Sequence, residues 1–288
     1  MEFVKAHGTG NDFVVVEDLE DRLELSPEFV RAVCDRHFGI GADGMIRIAP
    51  GRQAPFSMDY RNADGSVAEM CGNGVRVVGK YLGDRGLVSV VLDLETGAGV
   101  KRLDLHCDDS GMVDRVSVDM GAPSFDRADL PMRGEGEALN EPFEVAGSTF
   151  EAICLSMGNP HAVVYVDDVD AAPVTTVGPL LERHPAFPNR TNVEFVQVVD
   201  QHTLRQRTWE RGVGETLACG TGACAVAVAS QVRGFTGRPV AIDLRGGRLE
   251  VEWSPAGTVR MTGPAREVAH GTIAPDLFAH VNAYARGT

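Results

Sequence analysis

One short segment occurs twice in the chain, at a separation close to half of its length. Cys-Gly-x-Gly stands at residues 71–74 and at 219–222, an offset of 219 − 71 = 148 in a chain of 288 residues. A Gly-Asn pair that opens an apolar run repeats at the same offset, with Asn11 matching Asn159. Two matches in one register indicate an internal duplication. The chain is therefore predicted to fold as two equivalent halves.

The length also suits two domains of about 140 residues each. We predict an N-terminal half-unit at residues 1–119, to which the tail 264–288 returns, and a C-terminal half-unit at 120–263. Strand-like runs separated by Gly, Asp and Asn turns predominate, and an apolar stretch follows each Cys-Gly-x-Gly. The predicted class is α/β (α+β), with two pseudo-symmetric domains, each a mostly antiparallel sheet around one buried helix.

Helices and strands are predicted from capping signals and apolar periodicity. Ser26 as N-cap and Pro27 at the first helical position predict a helix to about residue 36. The two apolar stretches predict helices at 74–82 and 221–232. Strands are predicted at 13–16, 45–48, 56–60, 88–92, 100–105, 113–120, 149–155, 162–166, 193–199, 203–209, 240–244, 248–253 and 258–261.

Charge and composition exclude several classes of protein. The net charge of −14 argues against nucleic acid as a partner, because phosphate binding needs a basic face. Without an apolar run of about 18 residues no membrane span is expected, and without a signal-peptide pattern at the start a cytoplasmic location is expected. No metal is expected either, since the metal-ligand spacings of Cys and His are missing. In the cytoplasm the six cysteines should be thiols: Cys34, Cys71, Cys107, Cys154, Cys219 and Cys224.

The duplicated cysteines have a context that suits acid–base chemistry. At the N-terminus of a helix, the helix dipole lowers the pKa of a thiol below its free value of about 8.5. The neighbouring glycines leave backbone amides open to an anion such as a carboxylate. Halves that face each other would bring Cys71 and Cys219 to one cleft. Two opposed thiols are what a cofactor-free racemase or epimerase needs, one to remove a proton and one to return it. The alternative is that both are small buried residues at tight turns.

The loops beside the cysteines have diverged, as a pocket for an asymmetric ligand requires. Asn62 matches Glu210 at the same offset. Glu210 is a candidate for binding a substrate ammonium and Arg211 for binding a second carboxylate, although a surface ion pair is the alternative. His161 is a candidate for tuning a thiol or carboxylate, or a structural histidine. Three asparagines are either ligand-binding residues or turn formers: Asn11, Asn159 and Asn192.

A G-x-G-x-x-G segment at residues 39–44 does not indicate a dinucleotide site. Such a fingerprint follows a strand and opens a helix. Here a predicted helix precedes it and a predicted strand follows it, so the context is reversed.

At these motifs the chain resembles the diaminopimelate epimerases along nearly its whole length. The segments that carry the resemblance are residues 7–13, 39–43, 62–66, 69–76, 158–161, 191–195 and 209–216, the last running into 218–222. The resemblance implies interconversion of LL- and meso-2,6-diaminopimelate, in lysine and peptidoglycan-precursor synthesis, without pyridoxal phosphate, metal or other cofactor. It also implies two pseudo-symmetric domains, each a strongly curved sheet around a central helix, with the small-molecule substrate between them.

The resemblance assigns roles to individual residues. Cys71 and Cys219 would be the acid/base pair, assisted by His161 and Glu210. The substrate-binding set would be Asn11, Asn62, Gly72, Asn73, Asn159, Asn192, Glu210, Arg211, Gly220 and Thr221. This chain has Gly44 where some members have Gln. A homodimer is also implied, although residues 267–271 lack the tyrosine that some members use for it.

Two other functions remain open from the sequence. The same fold could serve a small-molecule-binding or redox-sensing protein in which the paired cysteines form a switchable disulfide. An epimerase of a different amino acid is the third possibility, although Arg211 favours a substrate with a distant second carboxylate.

Overall fold

The computed structural model describes residues 1–68 and 70–277. Residue 69 of the motif at 69–76, and residues 278–288 of the tail predicted to return to the first half, lie outside the described residues. The chain divides into two compact units, one formed by residues 1–118 with the segment from Pro264 onward, the other by Asp119–Gly263.

The first unit is a sheet with two helices. Its strands are β1 (Glu2–Gly8), β2 (Asn11–Glu17), β3 (Gly44–Pro50), β4 (Phe56–Asn62), β5 (Val91–Thr96), β6 (Gly99–Cys107), β7 (Val113–Gly121) and, after the second unit, β17 (Arg266–Thr272). Its helices are α1 (Pro27–Cys34) and α2 (Gly72–Asp84).

The second unit repeats this plan. Its strands are β8 (Glu141–Val145), β9 (Ser148–Ser156), β10 (Pro160–Tyr165), β11 (Asn192–Asp200), β12 (Thr203–Glu210), β13 (Gly214–Thr216), β14 (Val240–Leu244), β15 (Gly247–Trp253) and β16 (Val259–Pro264). Its helices are α3 (Val174–Glu182) and α4 (Gly220–Val232).

Strand register confirms the internal duplication. The pair Phe13↔Gly44 of β2 and β3 corresponds to His161↔Asn192 of β10 and β11, each residue displaced by 148. The first residues of α2 and α4, Gly72 and Gly220, are separated by the same 148 residues. The two units therefore share one backbone plan on which different side chains have been placed.

Pairing between neighbouring strands is mostly antiparallel, as predicted, with parallel pairs wherever a helix intervenes. The parallel pairs are β2–β3 and β4–β5 in the first unit, and β10–β11 and β12–β14 in the second. Each of them is connected through α1, α2, α3 or α4, because parallel strands need a crossover and a helix provides one. A crossover returns the chain to the end of the sheet at which the preceding strand began. For this reason β2 and β3 begin, and the antiparallel β4 finishes, at the same end of the sheet.

The two central helices are buried along most of their length, as the apolar stretches predict. In α4 every residue from Gly222 to Ser230 is buried, and in α2 every residue from Gly72 to Leu82. Ala, Gly and Val predominate there, and such small side chains let the strands of the unit approach the helix from several sides. Each unit thus packs its sheet against its own central helix, and a second core cluster packs the sheet against α1 in the first unit and against α3 in the second.

Two local predictions are corrected by the structure, and one helix was missed. The helix capped by Ser26 ends at Cys34 rather than near residue 36. Residues 88–90 form a bend after α2, and β5 begins only at Val91, because the β-branched residues there lie at an exposed turn. Helix α3 was not predicted because Pro179 lies inside it. The duplication offset would have found it, since 27 + 148 = 175 falls at its start.

Candidate active site

Each duplicated cysteine is the N-cap of a central helix. Cys71 has φ −142° and ψ 108° before α2, and Cys219 has φ −123° and ψ 114° before α4. Their carbonyls accept the first helical hydrogen bonds, from Val75 N and Ala223 N, both at 2.9 Å. The amides of the first helical turn have no partner within the helix, so each sulfur lies beside N–H groups that can receive an anion.

The third residue of each helix must be small because the sheet passes close beneath it. A Cβ on Gly74 would lie 3.0 Å from Ile46 Cδ1 of β3. A Cβ on Gly222 would lie 2.7 Å from Glu194 Oε1 of β11. The second glycine of Cys-Gly-x-Gly therefore lets the start of the helix, and with it the cysteine, rest directly on the sheet.

In the first unit Cys71 is half-buried and its sulfur contacts an asparagine with a fixed orientation. The Cys71 thiol donates to Asn11 Oδ1 at 3.6 Å, and Asn73 Nδ2 donates to the same oxygen at 3.1 Å. On its other side, Asn11 Nδ2 donates to Asp43 Oδ2 at 2.9 Å. Because the two ends of the amide have different partners, Asn11 presents an acceptor to the sulfur.

A fully buried arginine supports this half of the site. Arg76 Nη2 donates to Asn73 Oδ1 at 2.9 Å and to Thr9 Oγ1 at 3.1 Å, while Nη1 donates to Gly72 O at 3.2 Å. With its Oδ1 turned to Arg76, Asn73 directs its Nδ2 toward Asn11. Arg76 lies in a motif of the sequence analysis but was not given a role there. A charged residue among Val75, Val77 and Val78 was the available signal.

Asn62 lies at the same edge of the sheet, at the end of β4. Its backbone pairs with Gly44 of β3, and its side-chain Nδ2 donates to Ser66 Oγ at 3.0 Å in the turn that follows. The structure thus places Asn62 near the starts of β2 and β3. Its recorded side-chain bond is to the turn rather than to Cys71.

In the second unit Cys219 is buried and bonded on several sides. Its sulfur accepts from Gly222 N at 3.4 Å and lies 3.5 Å from Thr221 Oγ1. Asn159 Nδ2 donates to the same Thr221 hydroxyl at 3.3 Å. Asn159, the counterpart of Asn11, therefore reaches its cysteine through Thr221.

Glu210 is the carboxylate next to Cys219. It is partly buried, accepts from Thr216 Oγ1 at 2.5 Å and forms a hydrogen bond with the Cys219 thiol. Burial raises the pKa of Glu210, and the charge of Glu194 raises it further. The recorded partners of Glu210 and Arg211 are Thr216 and Asn189 rather than each other, so the structure does not favour the surface ion pair.

The pKa of Cys219 contradicts the sequence expectation. Burial raises it well above the ordinary value, and the carboxylates of Glu210 and Glu194 raise it further. Hydrogen bonds from Thr221 and Gly222 oppose the increase but are weaker. The start of a helix therefore does not make Cys219 a thiolate here, because desolvation and two negative neighbours outweigh the helix terminus.

His161 lies behind Cys219 in a fully buried polar cluster. Its Nδ1 lies 2.8 Å from Glu194 Oε1, and its Nε2 lies 2.9 Å from Asn159 Oδ1. Glu194 was not among the predicted site residues. It stands two positions after Asn192 in a strand otherwise apolar at that end, and a charged residue there was the available signal.

Asn192 and Arg211 form the outer part of this half-site. Asn192 Oδ1 accepts from Arg211 N at 2.9 Å, and its Nδ2 donates to Pro160 O at 2.8 Å. The Arg211 side chain is exposed and its Nη1 donates to Asn189 O at 3.3 Å. The guanidinium therefore remains accessible to a ligand, while its backbone is fixed by Asn192.

Within residues 1–68 and 70–277, no group of three His, Cys, Asp or Glu side chains is arranged to hold a metal ion. In the same ranges no helix has the length and apolar character needed to cross a membrane. The six cysteines are free thiols.

A family model for diaminopimelate epimerase matches residues 3–125 and 153–268, which include both Cys-Gly-x-Gly segments. The chain belongs to the diaminopimelate epimerase family. It is 50% identical over 276 residues to the diaminopimelate epimerase of Leptospira biflexa, covering 95% of this chain and 99% of that protein. It is 51% identical over 280 residues to that of Moorella thermoacetica, covering 96% and 100%.

More distant solved structures share the fold of this diaminopimelate epimerase family member. A probable proline racemase from Agrobacterium radiobacter superposes with a TM-score of 0.70 at 18% identity, covering 96% of this chain and 94% of that one. A hydroxyproline epimerase from Agrobacterium vitis gives a TM-score of 0.70 at 18% identity, covering 96% and 93%. The chain is thus an isomerase of the epimerase class, and the predicted mixed α/β fold with a two-domain repeat is confirmed.

Proposed function

We propose that this protein interconverts LL- and meso-2,6-diaminopimelate without a cofactor, using Cys71 and Cys219 as its two acid/base groups. One sulfur, as thiolate, takes the α-proton, and the other, as thiol, delivers its proton to the opposite face of the same carbon. The observation that carries the proposal is that both cysteines are N-caps of buried helices at equivalent positions of a duplicated fold.

The helix starts supply the stabilisation that the reaction needs. An α-proton becomes removable when the charge that develops on the adjacent carboxylate is stabilised by preorganised donors. We propose the first-turn amides as these donors, in both units: those of Gly72, Asn73, Gly220 and Thr221. Glycine at both first positions leaves the backbone uncovered for a close approach of the carboxylate.

Glu210 gives Cys219 a route for its proton. In the free protein the raised pKa of Cys219 keeps it a thiol, and its hydrogen bond to Glu210 is already formed. Because burial also raises the pKa of Glu210, this carboxylate is a better proton acceptor than an ordinary glutamate. We propose that Cys219 is the acid when Cys71 acts as the base. In the reverse direction Glu210 takes the Cys219 proton, the thiolate so formed removes the α-proton, and the Cys71 thiol protonates the carbon.

The remaining polar groups are proposed to bind the ends of the substrate. The exposed Arg211 guanidinium suits the distal carboxylate bidentately, and Asn192 holds its backbone in place. Glu210 can also receive a substrate ammonium. The asparagines at the strand ends would bind the other polar atoms of the substrate: Asn11, Asn62 and Asn159.

We also propose that the protein acts in the cytoplasm on a free small molecule, with neither nucleic acid nor membrane as partner. The net charge of −14 supports the first exclusion. A homodimer is the proposed assembly, and multi-angle light scattering of the purified chain measures it directly. A monomeric mass would reject the dimer but would not bear on the two-thiol reaction.

The decisive assay follows LL-diaminopimelate in heavy water by NMR, with no added cofactor and with a thiol reductant. Wild-type protein should form the meso isomer and place deuterium at the α-carbon. Cys71→Ala and Cys219→Ala should each abolish this inversion. Cys224→Ala, a buried cysteine of α4 outside the proposed pair, is the matched control and should retain it. Inversion at the wild-type rate in either test variant would reject the two-thiol reaction.

The same assay separates the alternatives. A redox-sensing protein would show no turnover in strong reductant, whereas the proposed epimerase is most active there. Substrate class is tested with Arg211→Gln, which should raise KM for diaminopimelate at least tenfold and leave kcat nearly unchanged. Equal activity of the wild type on an amino acid with no second carboxylate would reject the assignment of substrate.

A further inference from the structure

The sheet surfaces beneath the two cysteines differ in chemistry although their backbones match. Ile46 pairs with Tyr60 in the first unit, and Glu194 pairs with Thr208 in the second, each residue displaced by 148. The apolar set of the first unit is Phe13, Ile46, Met58 and Tyr60. The polar set at the equivalent positions of the second unit is His161, Glu194, Gln206 and Thr208.

The fold does not require this polar set. The side chains of His161 and Glu194 are fully buried, and burying such groups costs free energy relative to well-packed apolar side chains. The first unit closes around its helix with Phe13 and Ile46 in the same places. A costly arrangement that the architecture can do without points to a role in the chemistry of the second half-site.

Hydrogen-bond directions fix how many protons the pair carries. Asn159 donates its Nδ2 to Thr221, so its Oδ1 is what faces His161 Nε2 at 2.9 Å. That ring nitrogen must therefore be an N–H donor. The other ring nitrogen, Nδ1, lies 2.8 Å from a Glu194 oxygen, a contact that needs a second proton, located on either the nitrogen or the oxygen.

We propose that Glu194 is a positioning residue that shares one proton with His161 and so holds it with its Nε2–H directed at Asn159. Asn159 Nδ2 donates to the Thr221 hydroxyl at 3.3 Å, and that hydroxyl lies 3.5 Å from the Cys219 sulfur. The orientation of His161 therefore acts on Cys219 through these two contacts. The inference rests on the proposed role of Cys219 but concerns a residue that does not touch it.

The surroundings of Glu194 leave His161 as its recorded hydrogen-bond partner among the described residues. Its Oε2 is buried and, among the described residues, makes no hydrogen bond, while Oε1 is used by His161. Gly222 of α4 lies directly against the Glu194 carboxyl group, and any side chain at this position would collide with Oε1. The other titratable groups whose charges interact with this cluster include Cys219, Glu210 and Cys154.

Nitrogen-15 NMR of the full-length protein, labelled at histidine, tests the proton arrangement without any substrate. The His161 signals are assigned by their loss in His161→Phe. At neutral pH the wild type should show a protonated Nε2. A neutral ring with the proton on Nδ1 and a bare Nε2 would overturn the proposal, whatever the enzyme's activity. Gln206→Met, which restores the residue type found at Met58, is the control and should keep the Nε2–H signal.

Kinetics then test the consequence. Glu194→Gln should lower kcat at least tenfold, keep KM within about threefold and shift the pH–rate profile, since Gln cannot share the proton. Glu194→Asp should restore part of the rate. The double variant His161→Phe/Glu194→Ile copies the interior of the first unit and should keep the wild-type melting temperature or exceed it, while losing inversion.

Each outcome separates this proposal from the proposed function. Wild-type kinetics and an unshifted pH profile in Glu194→Gln would reject the role of Glu194 but leave the two-thiol reaction intact. A double variant that melts well below the wild type would mean that the polar pair serves stability, which also rejects the proposal. Failure of the two-thiol reaction is detected separately, by inversion in the cysteine variants.

Discussion

Gly222→Ala adds one methyl group at the contact between helix α4 and the buried carboxylate of Glu194. The added Cβ would stand 2.7 Å from Glu194 Oε1, 3.2 Å from Gln206 Nε2 and 3.3 Å from Cys219 Cβ. Glu194 is fully buried and held by His161 at 2.8 Å, so it cannot swing away without breaking that pair. The helix start must rise from the sheet, or the pair must separate.

Two opposing effects set the magnitude. Alanine in place of a helical glycine favours folding by roughly 0.5–1 kcal/mol. Overpacking a closed interior costs roughly 1–3 kcal/mol. We therefore expect Gly222→Ala to lower the free energy of unfolding by about 1–2 kcal/mol. We also expect kcat to fall by at least tenfold, because the contacts that place Cys219 and His161 are disturbed together.

The duplication supplies a matched control in Gly74→Ala. Its Cβ would meet the terminal methyl of Ile46 at 3.0 Å and Cys71 Cβ at 3.6 Å. The end of the Ile46 side chain needs to move by only a few tenths of an ångström, so the stability change should stay within about 0.5 kcal/mol of zero once the gain in helix propensity is included. Urea unfolding followed by circular dichroism measures both variants. If Gly222→Ala matches the wild type in stability and rate, the tight seating of α4 on Glu194 is refuted.

Two further predictions concern Glu210 and Arg76. The pKa of Glu210 is raised in the folded protein, so the folded state loses stability as pH rises from the unfolded pKa near 4.5 through the folded pKa. Glu210→Gln should therefore be more stable than the wild type at pH 7, and this difference should disappear below pH of about 4. Denaturant titrations that give the same stability difference at every pH would contradict this. Arg76→Met removes the donor to the buried oxygens of Asn73 and Gly72. The free energy of unfolding should fall by about 2–4 kcal/mol. An unchanged urea midpoint would show that the guanidinium is dispensable.

Much of the fold follows from sequence because its signals are local. Ser26 and Pro27 fix the start of α1 through capping chemistry. The predicted starts of the central helices, residues 74 and 221, lie two and one residues after the observed starts at Gly72 and Gly220. The parallel strand pairs were not predicted, because parallel pairing depends on where a crossover returns the chain and not on the residues of a strand. Helix α3 was missed since Pro179 hides its periodicity, although the offset from α1 contains that information.

The sequence by itself determined the duplication, the two cysteines at helix starts and the family, because identical motifs at a constant spacing need no coordinates to be recognised. Only the tertiary structure decided what surrounds each sulfur. Burial and the charges of Glu210 and Glu194 raise the pKa of Cys219, which the helix terminus alone was expected to lower. That result depends on residues from three separate strands and loops, since desolvation and Coulomb interactions follow distance in space rather than position along the chain.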